Sequence, residues 1–198
     1  MRHLVLAGAL CLSVAAAASQ PNVLVIYTDD QRTDDLVAMP QVASRIVAEG
    51  VSFERFIATT PMCGPSRASL LRGQYAHNHG IVGHRNWPGD SYERWVSTGL
   101  GQQTLGTWMQ AAGYRTAYIG KHQVGFPLPD DRAAFDPGWD NWLVPYDRYT
   151  RGIYTDVRYA VDGEVRDTGE AYLTDVEGER LVRFVGDALD DGVPFFAV

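Results

Sequence analysis

Short apolar runs that alternate with helix-patterned stretches constrain this chain more than any other feature. Val23-Leu24-Val25-Ile26-Tyr27 is an unbroken apolar run with β-branched residues, and it ends in Thr28-Asp29-Asp30. Such a run suits a strand buried on both faces of a parallel sheet. Pro40 opens a helical pattern with Val42, Ala43, Ile46 and Val47 on one face and Gly50 as its stop. Val51 to Ile57 alternates as a second strand. Pro65 stands in the first turn of a further helix that carries Leu70 and Leu71 and ends before Gly73. Thr104 to Ala112 predicts a short helix stopped by Gly113, and Tyr114 to Ile119 a strand running into Gly120-Lys121. Tyr154 to Val161 and Glu164 to Asp167 pair as a hairpin across Asp162-Gly163 within a long excursion over residues 125–170. Thr174-Asp175-Val176-Glu177 reads as a capping box, followed by Leu181, Val182, Val185, Ala188 and Leu189 at helical spacing. Val193 to Val198 begins another buried strand. Strands alternating with helices predict an α/β sheet with helices on both faces.

The chain has 198 residues, 45% hydrophobic and 21% charged, ordinary for one domain with a real core. A net charge of −7 without basic runs argues against nucleic acid as a partner. Arg2 and His3, the apolar stretch Leu4 to Ala18 and the small residues Ala16-Ala17-Ala18 read as an export signal over residues 1–18. That stretch is shorter than the roughly 20 residues a membrane span needs, and no other segment suits one. An exported protein is expected, periplasmic, secreted or in a lysosome-like compartment. Pro194 to Val198 ends the chain on an apolar strand, so residues 19–198 read as the N-terminal part of a longer, C-terminally incomplete catalytic domain.

Ligands of open α/β sheets bind beyond the carboxyl ends of the strands. Asp29, Asp30 and Lys121 fall at such ends. Cys63 falls at the start of the helix that carries Pro65, where exposed N–H groups and the helix dipole favour an anion. Beyond the export signal Cys63 is the only cysteine, so it has no internal disulfide partner. Adjacent carboxylates repel unless a cation lies between them, and hard oxygen ligands suit Ca²⁺ or Mg²⁺.

Cys63-Gly64-Pro65-Ser66-Arg67 resembles the Cys-x-Pro-Ser/Ala-Arg signature of the type I sulfatases. Asn22 to Gln31 resembles their first strand and paired Asp. Gly73 to Gly80 resembles the continuation of the signature, and Ala111 to Lys121 the later helix-strand-Lys block. Gly138-Trp139-Asp140 and Ala171 to Asp175 are similar to the N-acetylglucosamine-6-sulfatase branch in particular. The resemblance implies a mixed sheet of the sulfatase and alkaline-phosphatase kind. It also implies hydrolysis of a sulfate ester on a sulfated carbohydrate, after a formylglycine-generating enzyme has oxidised Cys63. Asp29, Asp30 and residue 63 would ligate Ca²⁺, with Mg²⁺ as the other candidate. Residue 63, as formylglycine, would be the nucleophile. Arg67 would hold its hydroxyl and Lys121 the sulfate. One hydroxyl of the hydrated aldehyde would attack sulfur and the alcohol would leave, and loss of the proton from the second would expel sulfate and restore the aldehyde.

Many sulfatases continue after this lysine as Trp-His-Leu-Gly, whereas Lys121 is followed by His122-Gln123-Val124-Gly125. His122 stands one place early, and one residue of shift turns a side chain to the other face. The family's C-terminal half adds an Asp and an Asn to the metal and a His and a Lys to the site, so this chain alone is expected to be inactive. Residues 76–103 read as a long functional loop in which His84-Arg85 is a candidate substrate contact. His77 and His79 read as capping and packing, Arg72 as serving its helix C-terminus, and the Trp and Tyr residues of 139–149 as core. Three other readings compete: a phosphonate or phosphodiester hydrolase of the same fold, a vestigial sulfatase fragment, and a thiol enzyme. The thiol enzyme is disfavoured by the missing second cysteine.

Overall fold

The computed structural model describes residues 20–84, 91–126, 135–146 and 154–198. The expected signal over residues 1–18 lies outside the described residues, as do Arg85 and Tyr149. In chain order the strands are β1 (Val23–Leu24), β2 (Arg115–Ile119), β3 (Asn141–Pro145), β4 (Arg158–Val161), β5 (Glu164–Asp167) and β6 (Phe195–Ala197). The α-helices are α1 (Pro40–Val42), α2 (Cys63–Arg72), α3 (Ala76–His79), α4 (Ser91–Ser97), α5 (Leu105–Ala111) and α6 (Leu173–Asp190). Short 3₁₀ helices cover Thr33–Ala38 and Leu100–Gln102.

One mixed sheet of six strands runs β1-β6-β2-β3-β4-β5. The first four strands are parallel, with β6 between β1 and β2, pairing Val23 with Phe196 and Ala117 with Ala197. β4 and β5 add on antiparallel. The Asp162-Gly163 hairpin forms as the sequence predicts. Both residues take positive φ, 47° and 86°, as a type I′ turn requires. β3 was not anticipated. It lies inside the long excursion and pairs Tyr118 with Trp142.

The two faces of the sheet are covered by different helices, as the alternation predicts. Tyr118, Trp142, Val144 and Phe196 pack with Ala68 and Leu71 of α2, Trp95 of α4, and Leu105 and Met109 of α5. Ala117, Phe195 and Ala197 pack against Leu181, Phe184, Val185 and Ala188 of α6. Thr107 Oγ1 accepts from the Thr104 N–H at 2.9 Å and closes the first turn of α5.

Several local expectations fail. Residues 51–57 form no strand, and Val51, Phe53, Phe56 and Ile57 are exposed, Phe56 by 84%. Alternation specifies a strand only where a sheet offers an edge and a core offers a face, and here residues 51–57 find neither. The helix predicted from Pro40 starts there but widens to π geometry over Ala43–Val47, with Ile46 and Val47 exposed. The capping box at Thr174 is absent: α6 starts at Leu173 with Tyr172 at its N-cap and no side-chain cap. In that helix Val182 and Leu189 face solvent, and the buried stripe passes through Phe184. The stretch 76–103 holds α3, α4 and a 3₁₀ turn rather than one long loop. Among the described residues no helix is long and apolar enough to cross a membrane.

Candidate active site

The segment that follows β1 carries Asp29 and Asp30 beyond the carboxyl end of that strand. In extended chain two neighbouring side chains point to opposite faces. Asp30 breaks that alternation with φ 55°, a left-handed conformation that aspartate tolerates better than most residues. Ligand atoms of Asp29, Asp30 and Cys63 therefore lie within 4.8 Å of one another.

Helix α2 begins at Cys63, with the extended Met62 as its N-cap. The backbone at Gly64 is pressed against a neighbour. A Cβ there would stand 2.1 Å from Ser91 Oγ and 2.7 Å from Ser91 Cβ. Ser91 in turn donates to Gln123 Oε1. The sequence signature carries no hint of this contact, because Ser91 comes from α4.

Lys121 stands just past β2. Its Nζ lies 2.6 Å from Asp29 Oδ2 and 3.3 Å from Cys63 Sγ. Cys63 Sγ approaches Asp29 Oδ1 at 3.5 Å. Arg67, 4% exposed, binds three segments at once. Nε donates to the Lys121 carbonyl (3.0 Å), Nη1 to the Cys63 carbonyl (3.1 Å) and Nη2 to Asp29 Oδ2 (2.8 Å). Its link to residue 63 thus runs through the backbone. The guanidinium also lies over the Tyr27 ring, 5.9 Å from the centroid, and Tyr27 and Ser66 share a hydroxyl hydrogen bond. Burial pushes the Asp29 carboxyl up, but the Lys121 hydrogen bond and the charges of Arg67 and Lys121 outweigh it and hold the group at about 2.

Asp29, Asp30, Cys63, Arg67 and Lys121 all converge here. His122 does not. It is buried within a ring of Trp95, Tyr118, Phe126 and Trp142, and its Nε2 lies 3.1 Å from Asp136 Oδ2. His79 Nδ1 accepts the Ile81 N–H at 3.1 Å, which leaves Nε2 as the protonated nitrogen facing Ser69 Oγ at 3.1 Å. The ring packs, as expected, and is no base for that serine. His77 stacks on Tyr75. Arg72 does not serve its own helix end. It donates to the Leu100 and Gln103 carbonyls and ties α2 to the next turn. Tyr118, Ser91 and Asp136 were missed by sequence reasoning. Only Tyr118 offered a signal, a polar tip on an apolar strand that needs a partner when buried.

Two carboxylates with a third donor fit one side of a hard divalent cation. Both offer oxygen, as Ca²⁺ and Mg²⁺ require, and a thiol is the poor member until an oxygen replaces it.

The pattern of the family named Sulfatase matches residues 21–198. An arylsulfatase of Volvox carteri is 31% identical over 202 residues, covering 98% of this chain and 30% of the relative. The human N-acetylglucosamine-6-sulfatase is 29% identical, covering 98% of this chain and 36% of the relative. This chain therefore spans about a third of the length of these relatives. A solved structure of a protein in complex with its substrate D-glucosamine-2-N,6-O-disulfate superposes with TM-score 0.67 at 26% identity, covering 90% of this chain and 33% of that one. With the signature cysteine at a helix start facing paired aspartates and a lysine, the chain belongs to the sulfatase family.

Proposed function

We propose that the protein carrying this chain is an exported sulfuric ester hydrolase that acts on a sulfated sugar. The observation that supports this most is the convergence of Lys121, Asp29 and Cys63 at one point, in a chain of this family. Likeness to N-acetylglucosamine-6-sulfatase and to the glucosamine disulfate complex favours a sulfated glucosamine as substrate.

Asp29, Asp30 and residue 63 would hold a divalent cation, Ca²⁺ by preference. The three supply fewer than the six to eight oxygens that Ca²⁺ takes, so water, substrate or other groups complete its shell. The cation would draw charge from the sulfuryl oxygens. Residue 63, matured to formylglycine by its generating enzyme, would supply a hydrated aldehyde: one hydroxyl would attack sulfur as the sugar alcohol leaves, and deprotonation of the second would expel sulfate and restore the aldehyde. Lys121 places a fixed ammonium beside residue 63, where it can neutralise a sulfuryl oxygen. Arg67 keeps residue 63, Lys121 and Asp29 in register, because its three nitrogens each hold a different segment.

The test is a peptide mass spectrum across residue 63 of protein purified from its own host, with sulfate release from 6-O-sulfated glucosamine. An aldehyde at residue 63, and activity lost in Cys63→Ala, are expected. An intact thiol with no sulfate release overturns the reading. Faster cleavage of phosphate esters or phosphonates moves the enzyme to the neighbouring class.

A further inference from the structure

We infer that Tyr118 is a positioning residue: its buried hydroxyl fixes the Lys121 carbonyl and thereby aims the Lys121 ammonium at Asp29 and residue 63. For its catalytic consequence the inference rests on the sulfatase reading. Its geometry stands apart from that reading.

A lysine ammonium hangs on a flexible four-carbon stem, so its position depends on how firmly its own backbone is held. The strand ladder of β2 reaches only as far as Gly120, whose N–H donates to the Leu143 carbonyl at 2.8 Å. Gly120 itself has φ 120°, so the chain leaves strand geometry there. Beyond it the Lys121 carbonyl is gripped by Tyr118 Oη at 2.8 Å and Arg67 Nε at 3.0 Å. A carbonyl oxygen has two lone pairs, and these two donors occupy both. One donor comes from β2 and the other from α2, so the peptide after residue 121 cannot rotate without breaking one of them.

Tyr118 is well built for this task. Its ring is 4% exposed and lies 5.3 Å from Trp139, 5.3 Å from Trp142 and 5.2 Å from His122, centroid to centroid. Such a cage leaves the hydroxyl one direction. Burial holds the phenol well above the usual tyrosine range, so it remains a donor. Arg67 alone would leave Lys121 tied to α2 and free to pivot relative to the sheet.

Tyr118→Phe removes the hydroxyl and keeps the ring. In the full-length protein with Cys63 left as the thiol, a short amine-to-thiol crosslinker of the succinimidyl iodoacetate type reads the Lys121–Cys63 approach directly by peptide mass. The crosslink yield is expected to fall about fivefold in Tyr118→Phe, as the loss of one hydrogen bond of restraint implies. Single modification of either residue, and the circular dichroism spectrum, should stay as in the parent. An unchanged yield overturns the inference. In the full matured protein, kcat/KM for a sulfate ester is expected to fall about tenfold in Tyr118→Phe and no further in a Lys121→Ala background, the non-additivity of two residues acting as one. Full additivity in that cycle also overturns it. If the parent protein releases no sulfate at all, the proposed function fails, while the crosslink still decides the position of Lys121.

Discussion

Lys121 and Asp29, 92 residues apart in sequence, form an ion pair of 2.6 Å in which Lys121 takes only the Oδ2 oxygen. Arg67 binds that same oxygen, so Oδ1 is left facing Cys63. The pair holds Asp29 ionised on the side where a cation is proposed. It also predicts how Asp29 titrates. Lys121→Met removes a hydrogen bond and a charge that depress the carboxyl, so its midpoint should climb from about 2 toward the usual aspartate range. A depressed carboxylate stabilises the fold above its unfolded value of about 3.8 and loses that contribution as pH falls through about 2. The variant should therefore begin acid unfolding at higher pH. Carboxyl-carbon NMR of Asp29 in metal-free buffer, with circular dichroism across the acid range, checks both points.

The close approach of α2 and α4 gives a second prediction. A methyl group at position 64 would enter the space of Ser91, 2.1 Å from its Oγ. Overpacking of this kind costs about 1–3 kcal/mol, so Gly64→Ala should lower stability by that amount in urea unfolding. Ser91→Gly should restore most of the loss when combined with it, and a double-mutant cycle gives the coupling. Additive losses would show that the two helices do not meet as described.

Phe53 and Phe56 carry the third. Both are exposed although the alternation around them suits a strand. Phe56→Asp should change stability by no more than about 0.5 kcal/mol, as surface positions do. The same substitution should lower the fluorescence of a hydrophobic dye, since Val51, Phe53, Phe56 and Ile57 are exposed in one short segment. A loss of several kcal/mol would mean that the segment is packed in solution.

What was legible follows from where each constraint originates. Arg115–Ile119 and Phe195–Ala197 read correctly because strands inside a parallel sheet are covered on both faces, and that leaves a local mark. Val23 to Tyr27, expected as a strand of that buried kind, forms only the two-residue edge strand Val23–Leu24, with Leu24, Ile26 and Tyr27 exposed. Asp162-Gly163 was legible because a type I′ turn restricts residue type directly. Asp29, Cys63 and Lys121 were legible as a group because strand ends and helix starts converge in this fold class. Residues 51–57 misled because alternation records compatibility with a sheet, and not the presence of one. Ser91 and Asp136 stayed hidden because their partners, Gln123 and Trp95, lie far along the chain, and Tyr118 because a buried hydroxyl calls for a partner without naming it. Neither side chain on the Lys121 carbonyl was foreseen: Arg67 was expected at the hydroxyl of residue 63, and its Nε is found on that carbonyl beside the Tyr118 hydroxyl. His122, whose role the one-residue shift left open, lies in the aromatic core.

Glu177 gives the last prediction, and its sign is opposite to that of Asp29. The residue lies in the first turns of α6, where the sequence suggested a cap, and burial pushes its carboxyl up to about 7. Among the described residues no hydrogen bond or ion pair offsets that burial. An unfolded chain ionises this group near 4.5. Between those values the folded state binds more protons than the unfolded one, so stability falls as pH rises from about 4.5 to about 7 and levels off above. Glu177→Gln abolishes the ionisation and with it this loss. Urea unfolding should find the variant more stable than the parent by about 1–3 kcal/mol near pH 8, with the gap shrinking toward pH 5. Because the difference grows only where the parent is forced to ionise, a pH-independent gap would trace the effect to packing instead, and a less stable variant at pH 8 would show that the carboxylate has a partner in solution.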